Sequence, residues 1–120
     1  MKKTRLKTID RILEIVGKSH TIAVCSHMRP DGDCIGSTLS LALALLDQGK
    51  EVTCWNQDSV PSKLRFLDRD QLIQSPRPIK RPFDCVISVD AASIERLGSA
   101  QEHIANRGTL INIDHHTSNT

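Results

Sequence analysis

Apolar residues in this chain recur with two periods, and the alternation between them predicts a layered α/β fold. From Thr8 to Val16, the residues Ile9, Ile12, Leu13, Ile15 and Val16 recur at helical spacing, and Gly17 stops the run. Thr21–Ser26 is short, β-branched and continuously apolar, as a strand covered on both faces must be. A polar loop, 27–33, follows. The run Ile35 to Leu46 then predicts a helix over Cys34–Gln48, with Asp33 as its N-cap and Gly49 as its stop. Glu51–Trp55, Asp84–Val89 and Thr109–Ile113 read as three further strands. Pro61 opens a short helix through Leu67, and Pro76, Pro78 and Pro82 make 75–82 a loop. Ser93–Asn106 reads as broken helical turns, interrupted at Gly98.

Strands alternating with helices imply right-handed crossovers and a Rossmann-like, mainly parallel sheet flanked by helices. In such a sheet the strand C-termini converge on one edge, where these folds build their sites. The sequence ends seven residues after the last predicted strand, with no helix to cover it. A parallel strand needs cover on both faces, so the expectation is a chain cut from a larger domain.

Composition narrows the function classes. At 120 residues, 38% hydrophobic and 25% charged, the chain has the size and make-up of one soluble globular domain. A net charge of +2 is too small to argue for nucleic-acid binding by bulk electrostatics. The N-terminal lysines are not followed by the apolar segment of a secretory signal, because Asp10, Arg11 and Glu14 interrupt it. Nothing approaches the ~20 apolar residues needed to span a bilayer, which leaves the cytoplasm as the expected compartment and no membrane partner. Cys25, Cys34, Cys54 and Cys85 lack CxxC spacing and read as buried, reduced thiols.

Three polar clusters sit where the predicted strands end: His27-Met28-Arg29-Pro30-Asp31-Gly32-Asp33, then Asp90, then Asp114-His115-His116. Each has a bland reading. Asp33 can cap the helix, although a capping carboxylate keeps a second oxygen for a metal. Asp90 can start a turn or cap the following segment. Two imidazoles beside a carboxylate seldom end a buried strand for packing reasons, so Asp114-His115-His116 is the strongest of the three. Continued strand geometry would point the two histidines in opposite directions, one toward a metal and one toward substrate. Carboxylates and imidazoles gathered at one sheet edge form a cage suited to a pair of divalent cations.

The H-x-x-x-D-x-D loop, the later Val-Asp ending a strand, and the D-H-H together resemble the DHH phosphoesterase superfamily, from Thr21 to Thr120. The stretch Val60–Leu67, and Asn119 after the D-H-H, resemble its NrnA-like oligoribonuclease and pAp-phosphatase branch. The resemblance implies His27, Asp31 and Asp90 on one metal, and Asp33, Asp90 and His115 on a second, with Asp90 bridging. It implies that Asp114 orients its neighbours, that His116 faces the scissile phosphate, and that Asn119 meets substrate. It further implies two Mn2+ ions, with Mg2+ as an alternative, and hydrolysis of short oligoribonucleotides or 3′-phosphoadenosine 5′-phosphate by metal-activated water.

Residues 1–120 would then be the N-terminal part of a DHH catalytic domain, without the family's fourth acidic motif or its C-terminal substrate-binding domain. Whether these 120 residues act alone stays open. A manganese pyrophosphatase or a cyclic-dinucleotide phosphodiesterase uses the same motifs. A non-catalytic fragment or nucleotide-binding module is the remaining alternative, but Gly32 and Gly36 do not give the G-x-G-x-x-G spacing of a phosphate loop. The leading helix could serve a homodimer contact.

Overall fold

In the structure, a computed structural model, residues 2–90, 94–100 and 108–114 are described. The elements run α1 (Lys2–Lys18), β1 (Thr21–Ser26), α2 (Gly32–Asp47), β2 (Glu51–Trp55), a 3-10 turn (Ser62–Leu67), β3 (Ile73–Gln74), β4 (Cys85–Val89), a second 3-10 turn (Ile94–Leu97) and β5 (Thr109–Ile113). The five strands pair in the order β3-β2-β1-β4-β5, and every pairing is parallel. From β1 the chain passes to β2 on one side, and β4 returns on the other. This is the arrangement that opens a crevice at the strand C-termini.

Alternation along the central strands divides the core in two. Ile22 and Val24 of β1 join Ile87 and Val89 of β4, Ile111 of β5, and Ala42 and Leu45 of α2; Ile12, Ile15 and Val16 of α1 pack against this cluster. Ala23, Cys25 and Val86 face the other side, with Trp55, Phe83, Leu97 and Ala100. Trp55 and Phe83 meet edge to face, their centroids 5.4 Å apart. Both faces of β1 and β4 are thus covered, which is why their sequences are apolar without interruption. Full burial of a side chain such as Ile22 or Ile87 contributes roughly 1.5–3 kcal/mol.

The expected elements form, with three differences. α1 starts at Lys2 rather than Thr8, since Lys, Arg and Leu ahead of the amphipathic stretch are all good helix formers. α2 starts at Gly32, and its cap is Asp31, not Asp33: Asp31 is extended, its carbonyl accepts from Ile35 N and its side chain accepts from Cys34 N. The two-residue β3 was not anticipated, being too short for any periodicity. Gly98 does end the second 3-10 turn, with φ of +61°. The rest of the expected helical stretch falls mainly on 101–107, outside the described residues, as do His115, His116 and Asn119.

Candidate metal centre

Parallel register brings two of the predicted ligands face to face. Ser26 pairs with Val89 across β1 and β4, so the next residues, His27 and Asp90, leave the sheet side by side. Both are buried, and His27 Nε2 lies 3.4 Å from Asp90 Oδ2. Asp90 has φ of +56°, a left-handed conformation that Asp tolerates better than most residues. Its N–H donates to Ile113 O at 2.9 Å, which ties the end of β4 to the end of β5.

The imidazole orientation is set by its other nitrogen. His27 Nδ1 lies 2.6 Å from Met28 O, and a carbonyl only accepts, so Nδ1 carries the proton. In the neutral ring, Nε2 then presents a lone pair to the Asp90 carboxylate. Two acceptors at that separation repel unless a proton or a cation lies between them. A histidine whose far nitrogen is fixed by a carbonyl is also the usual geometry of a metal ligand. The donor chemistry therefore fits a divalent cation.

A third ligand type joins this pair. One donor atom each from His27, Cys34 and Asp90 lies within 4.8 Å of the others, and all three residues are buried. Cys34 occupies the first turn of α2, and its N–H donates to Asp31 Oδ1 at 2.9 Å. Burial pushes the Cys34 thiol up to about 11, so without a cation it is neutral at physiological pH. Sequence reading passed over it, because a cysteine at a helix start reads as a small apolar residue.

The loop that carries His27 is braced from β2. Buried Asn56 donates through Nδ2 to His27 O at 2.7 Å and to Ser26 Oγ at 2.9 Å, and its Oδ1 accepts from Asp58 N. Asp58 Oδ2 in turn accepts from Arg29 N at 2.6 Å, where Arg29 has φ of +59°. Asn56 was also overlooked. Its signal was positional, a polar residue directly after a buried strand end.

The remaining candidates are distributed around this pair. Asp31 spends Oδ1 on the helix cap and keeps Oδ2 as an acceptor. Asp33, one residue into α2, is exposed near the positive end of the helix. Asp114, half-buried, follows β5 directly, next to the Ile113 carbonyl that holds Asp90. No helix among the described residues is long and apolar enough to cross a membrane.

Comparison with known proteins follows this geometry. The family model described as "DHH family, N-terminal domain" matches residues 21–120. The bifunctional oligoribonuclease and PAP phosphatase NrnA of Thermus thermophilus is 33% identical over 115 residues, which are 96% of this chain and 33% of that protein. The chain thus spans about a third of the length of the curated relative it matches. Among solved structures, an exopolyphosphatase-related protein from Bacteroides fragilis superposes with a TM-score of 0.79 at 25% identity, over 91% of this chain and 34% of that one.

Proposed function

The chain belongs to the DHH family, and from that membership we propose that it supplies the metal-binding part of a phosphoesterase acting on short oligoribonucleotides or 3′-phosphoadenosine 5′-phosphate. The single observation that carries the reading is the buried His27–Asp90 pair, an imidazole nitrogen and a carboxylate oxygen 3.4 Å apart at the C-terminal edge of a parallel sheet. The relative named as an oligoribonuclease and PAP phosphatase supports the substrate class.

In this reading His27, Asp31 and Asp90 hold one cation. Asp33, Asp90 and His115 hold a second, weaker one, and manganese, or magnesium in its place, suits the imidazole and carboxylate set. A divalent cation there supplies Lewis-acid polarisation of the phosphoryl oxygens and acidification of the attacking water. The chain's own residues set the geometry. Met28 O fixes the His27 ring through Nδ1, Asn56 holds the loop backbone, and Ile113 O holds the Asp90 backbone. His116 stabilises charge on the scissile phosphate, Asp114 orients the residues that follow it, and Asn119 meets substrate. The protein works in the cytoplasm, a reducing compartment that suits four buried, unbridged cysteines. α1, with Ile9 and Leu13 exposed, is the surface we assign to a homodimer contact.

A manganese titration of the purified chain beside its Asp90→Asn variant tests the metal reading. One tight and one weak ion per chain are expected, with affinity falling more than about 100-fold in the variant, beyond the loss usual for an outer-shell change. No manganese bound by demonstrably folded wild-type protein would remove the metal centre. Hydrolysis of pAp, a short RNA, pyrophosphate and a cyclic dinucleotide, compared in one assay, tests the substrate class. Preference for either of the last two overturns that part.

A further inference from the structure

The thiol beside the His27–Asp90 pair has no place in the ligand sets assigned above, and it changes the chemistry of the centre. Resting on the cation reading, we propose that Cys34 is a thiolate ligand that biases this centre toward thiophilic divalent cations (Co2+, Zn2+, Cd2+) over Mn2+ and Mg2+.

The geometry supports it in three ways. First, Cys34 Sγ, His27 and Asp90 already lie within 4.8 Å of one another, and a contraction of about 1 Å reaches the donor separations of a tetrahedral N, S, O site. Second, the sulfur's partners are the Ser26 side chain and His27 O, the latter at 4.0 Å, and a thiol is a weak hydrogen-bonding group beside a metal–thiolate bond. Third, the backbone beneath it is fixed: the Asp31 cap accepts from Cys34 N, so the sulfur is presented from the rigid first turn of α2. Cys25 belongs to the core cluster on one face of the sheet and Cys54 and Cys85 to that on the other; among the described residues only Cys34 shares a potential site with His27 and Asp90.

The chemistry balances without a redox partner. When the cation enters, the S–H bond breaks, its proton passes to solvent, and the sulfur keeps the electron pair that it donates to the metal. Hard cations gain little from sulfur and use the imidazole and carboxylates, whereas soft ones gain a third buried ligand. The identity of the bound ion then depends on which cations the surroundings supply, and a thiophilic ion displaces manganese.

The test is a titration of metal-stripped chain with Co2+ and Cd2+, followed by sulfur-to-metal charge-transfer absorption, with Mn2+ affinity measured in parallel. Wild-type protein is expected to show the band and to release about one thiol proton per ion. Cys34→Ser should lose the band and weaken Co2+ binding by about tenfold or more, while Mn2+ affinity moves less than about threefold. Cys34→Ala serves in its place if the serine variant does not fold. Co2+ bound by wild type without the band, or a band that survives in the variants, overturns the thiolate ligand and leaves the cation reading standing. Folded wild type that binds neither Co2+ nor Mn2+ overturns both.

Discussion

The two edges of the sheet use polar side chains in opposite ways. At the N-terminal edge they are turned onto backbone. Asp84 Oδ2 accepts from His20 N at 2.8 Å and Thr21 N at 3.1 Å, while Thr21 Oγ1 accepts from Asp84 N. Lys50 Nζ donates to the carbonyls of Gly17 and Ser19, which satisfies the end of α1. At the C-terminal edge, His27, Cys34 and Asp90 are buried and bring donor atoms within 4.8 Å of one another. The first edge ties strand ends together; the second sets a buried imidazole and a buried carboxylate 3.4 Å apart. In the proposed reading, the same sheet separates stability from chemistry by which end of a strand a residue occupies.

Three substitutions test that division. Gly108→Ala should do most damage, because a Cβ there would sit 2.2 Å from Asp84 O at the tying edge. We expect a loss of about 3 kcal/mol, read by denaturant melts, with cation affinity of the folded fraction unchanged. Equal losses of affinity and stability would argue that the edges are coupled.

Asn56→Ala should cost somewhat less, about 1–3 kcal/mol, because it strips partners from buried His27 O and Ser26 Oγ. It should also lower manganese affinity by about tenfold, as an outer-shell change. A change in stability alone would show that the His27 loop needs no brace from β2.

Asp84→Ala should have the smallest effect, and one that depends on pH. The backbone N–H groups of His20 and Thr21 hold this carboxyl below its usual range. A carboxylate whose folded pKa lies below its unfolded value stabilises the fold above the unfolded pKa, and that contribution disappears as pH falls through the folded value. The gap in Tm between wild type and variant should therefore be full at neutral pH and close below about pH 3.9. A gap that persists in acid would mean the carboxylate charge is not what ties this edge.

The strands and their common edge were legible in the sequence because β1 and β4 are buried on both faces, and such strands are apolar without a break. Asp90 alone was only weakly marked, since an Asp after a strand can start a turn or cap the next segment; it is the β1–β4 register that sets it beside His27. The cap was not legible. Asp31 and Asp33 flank one glycine, and which of them caps α2 depends on where the backbone turns helical, which periodicity does not specify. Cys34 and Asn56 were hidden because their roles come from β1 lying between β2 and β4, a fact of strand order rather than of residue spacing.

The pairing of Ser26 with Val89 has a further consequence for how the chain finds its fold. His27 and Asp90 meet only when β1 and β4, far apart in sequence, are aligned in this one register. A slip by a single residue would move each to the wrong face and scatter the ligands. Any ion that binds the pair therefore recognises correctly aligned chains alone, and at 100 times its Kd it would favour them by about 2.7 kcal/mol over misaligned ones. Such an ion would act as a proofreader of strand alignment before any substrate arrives.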